Sequence, residues 1–178
     1  MSLVLIILIL PFIIILAILV KLTSRGPILY WTERIGKNNV IFSMPKFRSM
    51  KIDTPTVATH LLEDPEQYYT SFGSFLRKTS FDELPQLWTI LIGKMSFVGP
   101  RPALFNQDDL IDLRTKKGIH EIKPGLTGWA QINGRDEISI NEKVKYDHEY
   151  LTKSSMKLDI YILWLTFVKV LKGDDVSH

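Results

Sequence analysis

The chain has 178 residues, 46% of them hydrophobic, a formal net charge of +3 and no cysteine. That length leaves room for one domain and a short appendage. The absence of cysteine excludes disulfides and thiolate zinc sites, and so small a positive charge does not by itself imply a nucleic-acid partner.

The amino-terminal run Leu3 to Val20 carries no charged residue. As a helix it covers about 27 Å, close to the hydrocarbon thickness of a bilayer. A secretory signal does not fit, because Met1-Ser2 has no basic side chain and Ala17-Ile18-Leu19 is no small-x-small cleavage site. A core helix this apolar on every face would be hard to cover in so small a domain. A spanning helix fits by length, with Lys21, Arg25, Arg34 and Lys37 holding the rest on the cytoplasmic side. Pro11 points to another arrangement, since it removes a backbone donor and clashes with the carbonyl four residues back. A break there would return the chain to the face it entered; a kink in a spanning helix is the alternative. The expectation is a membrane segment over residues 1–22, with the re-entrant helix-break-helix and the spanning arrangement both open, and a cytoplasmic domain over residues 23–178.

Thr23 to Pro27 reads as a turn, and Ile28–Trp31 and Val40–Met44 as short strands joined through Gly36 to Asn39. Residues 53–65 are polar and irregular, a loop. Glu66 to Lys78 has helical spacing, and a second helix is expected from Phe81 to Ile92, stopping at Gly93. Phe105 to Lys117 reads as an amphipathic helix ended by Gly118, and Lys123 to Arg135 as glycine-rich turns around one or two short strands. Helices over Ile140–Leu151 and Leu158–Leu171 complete an α+β, helix-rich domain. The last is apolar and aromatic enough either to pack in the core or to lie in a membrane interface.

The residue types that can do chemistry gather in a few places. Ser80 and Glu83 have capping-box spacing, which alone would explain Glu83; Pro85 instead favours Asp82 as the cap. Either way Asp82 would sit at a helix amino terminus that favours its ionised form. An ionised carboxylate beside a divalent cation can attack phosphorus, and Mg2+ characteristically takes one or two carboxylates plus substrate phosphates. The loop Val98-Gly99-Pro100-Arg101-Pro102 puts a guanidinium between two prolines, a stiff mount for bidentate phosphate contact or for a structural ion pair. Lys46-Phe47-Arg48 turns both cations to one face of a strand, either toward a ligand or into solvent. The three glycines before Arg135 permit close approach of a ligand but serve turns equally well. Neither a P-loop nor a dinucleotide fingerprint is present. His60, His120, His148 and His178 lack metal-ligand spacing and read as surface residues.

Several of these segments together resemble the bacterial sugar transferases of the monotopic phosphoglycosyl transferase superfamily, in their short single-domain form. They are Ser24-Arg25-Gly26-Pro27-Ile28, Lys46-Phe47-Arg48-Ser49-Met50, Leu76-Arg77 and Asp82-Glu83-Leu84-Pro85-Gln86-Leu87-Trp88. The likeness continues through Gly93 to Pro102, Lys123 to Arg135 and Tyr146-Asp147, in order over nearly the whole chain. Individually modest, these motifs are specific as a set. The resemblance implies an enzyme of the bacterial inner membrane with its catalytic domain on the cytoplasmic face. It would transfer a sugar 1-phosphate from a UDP-sugar to undecaprenyl or another polyprenol phosphate and release UMP, opening a surface polysaccharide pathway. It further implies a re-entrant membrane helix, Mg2+ and a covalent phosphosugar intermediate. Carried over, Asp82 is the nucleophile and Glu83 its partner at the metal. Lys46, Arg77, Arg101, Arg135 and Asp147 match other active-site positions; the cations suit phosphate binding, while Asp147 has no role derivable from sequence. Two features depart from the family: Leu10, not serine, precedes Pro11, and no basic amphipathic stretch precedes the apolar run.

Two rival readings use the same residues. A membrane-anchored carboxylate-pair hydrolase would release free sugar without metal or lipid and leave the arginine loop without a purpose. An inactive scaffold of a glycan assembly complex would be expected to have lost the nucleophile or the phosphate-binding cations, all of which are present.

Overall fold

A computed structural model of the chain describes residues 2–55, 64–134 and 138–172. The architecture is α+β and rich in helix, with two small two-stranded sheets among the described residues. It divides into two compact units, one of Met1–Thr32 with Met44–Leu91, the other of Glu33–Ser43 with Ile92–Asp175. The apolar amino-terminal segment packs within the first unit.

That segment is α1 (Ser2–Thr23), and Pro11 lies inside it with the helix running through on both sides. Only 11% of the Ile6–Thr23 window is buried, so this helix leaves most of its apolar surface uncovered by protein. Its inner positions Leu16 and Val20 pack with Phe47 and Leu76, and Ile28, Leu29, Phe72, Phe81 and Leu84 surround them. Ser24 ends the helix by bonding back to the Val20 carbonyl, through its amide at 3.2 Å and its hydroxyl at 3.0 Å. The Arg48 guanidinium then donates to the Ser24 carbonyl and hydroxyl at 3.1 and 2.6 Å. A cation at this end complements the helix dipole. Arg48 is buried, and the loss of water lowers its pKa. It is therefore not the solvated strand cation that its alternation with Lys46 allowed.

The hairpin strands β1 (Leu29–Ile35) and β2 (Ile41–Phe47) are longer than the sequence suggested, and a 3-10 turn at Lys37–Asn39 joins them. The helix expected over residues 66–78 divides into a 3-10 turn at Pro65–Tyr68 and α2 (Gly73–Lys78). Gly73 marks the reason for the close packing there, since a Cβ would lie 1.8 Å from the Ser49 carbonyl oxygen. The helix expected over 81–92 is likewise interrupted, as a 3-10 turn at Phe81–Glu83 followed by α3 (Gln86–Leu91). Pro85 has no amide to give to a continuous helix, and the chain restarts after it. The loop expected over 53–65 lies largely outside the described residues.

In the second unit, β3 (Ser96–Val98) pairs in parallel with β4 (Gly125–Thr127), Ser96 opposite Gly125 and Val98 opposite Thr127. Sequence reading assigned no strand to 96–98, a segment too short to show a period. The helix α4 (Asp108–Lys116) starts later than expected and ends before Gly118, whose φ of 72° suits glycine. The segment after β4 holds a four-residue helix, α5 (Trp129–Ile132), where turns were expected. The helix α6 (Ile140–Lys153) opens with a complete capping box between Ser139 and Glu142. This bonding holds the Glu142 carboxyl below its ordinary range. Val144, Asp147 and Tyr150 form its buried face. The helix α7 (Met156–Lys172) packs in the core through Ile162, which is fully buried, and leaves Ile160, Tyr161, Trp164 and Phe167 exposed. Two clusters form this unit's core, one around Val98, Ile132, Tyr150 and Ile162, the other around Ala103, Leu110, Ile119 and Val144. Tyr150 also donates to Asp159 at 2.8 Å, tying α6 to α7.

Candidate active site

In the first unit, four of the expected functional residues are chain neighbours of one hydrophobic cluster: Lys46 precedes Phe47, Arg77 follows Leu76, Asp82 follows Phe81, and Glu83 precedes Leu84. Phe47 and Leu76 are among the most deeply buried residues of the chain. Apolar packing thus fixes the backbone from which each charged side chain leaves. Lys46 lies over the Tyr30 ring at 5.6 Å and Arg77 over the Tyr69 ring at 5.5 Å. Arg77 also donates to the Met50 sulfur at 3.5 Å. Phe81 meets Phe12 of α1 edge-on, with ring centroids 5.0 Å apart, so the apolar helix touches the residue next to Asp82 directly.

Asp82 is 6% exposed and Glu83 is half-buried, both in the 3-10 turn after Ser80. Ser80 does not cap it. Its φ is 55°, a left-handed conformation uncommon for a residue with a Cβ, and its side chain makes no capping bond. The capping-box reading of Ser80 and Glu83 is therefore overturned; the spacing is right, but the backbone turns the wrong way. The dipole reading also loses force, because a three-residue turn and a six-residue helix carry little of the alignment that a long helix sums. Strain of the Ser80 kind is tolerated where the surroundings hold it, often beside functional groups.

The second unit mounts Arg101 by polar means. Four successive carbonyls each accept a hydrogen bond: Pro100 from the Gly125 amide at 2.9 Å, Arg101 from Arg114 Nη1 at 2.8 Å, Pro102 from Arg34 Nη1 at 3.2 Å, and Ala103 from the Ile35 amide at 3.0 Å. Of the two uses open to the glycines of this segment, Gly125 and Gly128 serve the close approach of backbone to backbone. A Cβ at Gly125 would lie 2.1 Å from the Gly99 nitrogen, and one at Gly128 2.1 Å from the Gly99 oxygen. The side chain of Arg101 is half-buried at the head of this clamp.

Asp147 is 1% exposed and accepts from Arg114 Nε at 2.9 Å and Nη2 at 2.6 Å. Burial pushes its carboxyl upward, and the Arg114 guanidinium pulls it back. Sequence reading singled out Asp147 without a role and passed over Arg114, which no local motif marks. Arg135 lies outside the described residues, as do His60 and His178. His120 and His148 are half-buried, with Nδ1 of each buried, so they are not the surface residues expected.

The donor set suits Mg2+ better than a transition metal. Among the described residues no group of three or more histidines and carboxylates could cage an ion. An adjacent aspartate and glutamate fit a hard cation that completes its shell with phosphate oxygens and water.

Within the first unit, the paired carboxylates stand on the same apolar cluster as a helix long and apolar enough to cross a membrane. The chain belongs to the bacterial sugar transferase family, whose model matches residues 1–173. It is 42% identical over 161 residues to the uncharacterized sugar transferase EpsL of Bacillus subtilis (strain 168), covering 89% of this chain and 77% of that one. It is 41% identical over 162 residues to a UDP-glucose:undecaprenyl-phosphate glucose-1-phosphate transferase of Escherichia coli (strain K12), covering 86% of this chain and 35% of that one. A protein of the same description from Xanthomonas campestris pv. campestris is 40% identical over 171 residues, covering 90% of this chain and 35% of the relative. The chain thus spans about a third of the length of the last two.

Proposed function

We propose that this sugar transferase moves a sugar 1-phosphate from a UDP-sugar to undecaprenyl phosphate, or another polyprenol phosphate, and releases UMP. The observation that carries the reading is the seating of the Asp82–Glu83 turn on α1 through Phe81 and Phe12. A nucleophile mounted on an apolar helix is suited to a lipid acceptor. The names of the E. coli and Xanthomonas relatives support the general reaction.

In the proposed chemistry an Asp82 carboxylate oxygen attacks the phosphorus that bears the sugar. The bond from that phosphorus to the bridging oxygen breaks, UMP leaves with the electron pair, and the sugar phosphate is held as an acyl phosphate. A phosphate oxygen of the polyprenol acceptor then attacks the same phosphorus, restoring the carboxylate and forming the lipid diphosphate sugar. Glu83 would hold Mg2+ beside the Asp82 nucleophile, and the ion when bound would neutralise charge on the diphosphate. Lys46, Arg77, Arg101 and Arg135 bind phosphate oxygens, the role that guanidinium geometry suits. The catalytic residues face the cytoplasm of a bacterial cell at its inner membrane, and a bend of α1 at Pro11, which gives no amide to the helix, would return both helix ends to that side. The lipid product would begin a surface glycan such as an exopolysaccharide or lipopolysaccharide.

The test measures UMP release from glucose, galactose and N-acetylhexosamine UDP-sugars with undecaprenyl phosphate and Mg2+. One donor is expected to give UMP in proportion to lipid-linked sugar. No UMP from any of them, or free sugar formed without lipid, contradicts the proposal and favours the hydrolase.

A further inference from the structure

We propose that the buried Arg114–Asp147 pair is a positioning device for the Arg101 loop, and that Asp147 serves the reaction through Arg114 and not by touching substrate. This rests on the reading of Arg101 as a phosphate-binding residue. The guanidinium is a rigid planar fork. Two of its donors, Nε and Nη2, close on Asp147 Oδ2 and fix the plane. The third, Nη1, is thereby aimed at the carbonyl of Arg101 itself, 2.8 Å away. The other three donors along the loop reach the carbonyls of its neighbours.

Both partners stand on well-seated helices. Arg114 shares the buried face of α4 with Leu110, four residues earlier, and Asp147 shares that of α6 with Val144 and Tyr150. With side-chain exposures of 9% for Arg114 and 1% for Asp147, neither is available to a diphosphate or a metal. A carboxylate this deep next to an arginine loop therefore acts at one remove. Tilting the Arg101 carbonyl would tilt the Cα–Cβ bond of the same residue, and a displacement near 1 Å of a positioned group can cost about 100-fold in rate.

A buried ion pair can often be replaced by apolar residues of similar volume without loss of stability. The double variant Arg114→Met/Asp147→Leu therefore removes the donor to Arg101 and leaves no charge stranded. It is expected to melt near the wild-type temperature, to lose roughly 10- to 100-fold in kcat/KM for the UDP-sugar, and to bind UMP more weakly. Arg101→Ala added to it should cost little more, because the two changes remove one function. Amide exchange in the peptide spanning residues 97–107 should quicken, a readout that needs no turnover. Should the double variant fail to fold, Arg114→Lys keeps the charge pair, drops the fork, and is expected to give the same pattern. Wild-type kcat/KM in a folded variant, full additivity with Arg101→Ala, or unchanged exchange would each overturn the proposal. Wild-type kcat/KM in Arg101→Ala alone would be a separate failure, of the phosphate-binding reading beneath it.

Discussion

The two units hold their candidate functional residues by opposite means. In the first, Lys46, Arg77 and Asp82 each sit one residue from a member of an apolar cluster, and the backbone is fixed by what its neighbours bury. In the second, Arg101 is fixed by hydrogen bonds to four consecutive carbonyls, one of them depending on a buried ion pair. The first kind of mount fails gradually, as packing is lost one methyl at a time. The second fails abruptly, because a buried acceptor or charge left without its partner has no water to turn to.

That contrast can be broken or sharpened by substitution. The largest effect is expected at the chemistry itself: Asp82→Asn should lower UMP release by about 10³-fold or more, with little change in melting temperature. Next comes the polar mount, where Arg114→Ala strands the Asp147 carboxylate and should destabilise by about 3–5 kcal/mol, read from denaturant melts in detergent. The apolar mount is tested by Leu76→Ala at a fully buried position, expected to cost about 2–5 kcal/mol, with kcat/KM for the UDP-sugar falling in step with stability. A Leu76 variant that loses activity while keeping full stability would blur the distinction between the mounts.

The smallest effect lies at the start of α6, where Glu142 is exposed. Its folded-state pKa is depressed by the Ser139 hydroxyl and amide, so its contribution is present above the ordinary glutamate pKa and fades as pH falls through the lowered value. The melting temperatures of wild type and Glu142→Gln should accordingly differ slightly at neutral pH and converge in acid. A gap that widens on acidification would contradict the capping role.

What could be read from sequence followed the range of the interaction. The apolar helix, the hairpin, the charged helix ending at Gly118 and the two last helices were legible because period and composition are local properties. The 3-10 turn at Phe81–Glu83 was not, since its spacing matches a capping box and only the φ of 55° at Ser80 distinguishes the two. The strand β3 was invisible, having three residues and a partner far along the chain. The same limit applied to the site. Asp82, Glu83 and Arg101 stood out in motifs, whereas the Arg114 that holds Arg101 lies 33 residues from its own partner Asp147. No spacing rule links such a pair; burial and geometry do.

The central claim is that Asp82 carries the sugar phosphate between donor and acceptor. It is tested most directly by incubating the detergent-solubilised protein with Mg2+ and the active UDP-sugar, radiolabelled in the sugar, with no polyprenol phosphate. The denatured protein is then digested and the labelled peptide sequenced. Label is expected on the peptide containing Asp82, with discharge when undecaprenyl phosphate is added before denaturation, and none in Asp82→Asn. Label that persists in Asp82→Asn, or that maps to another residue, would contradict it.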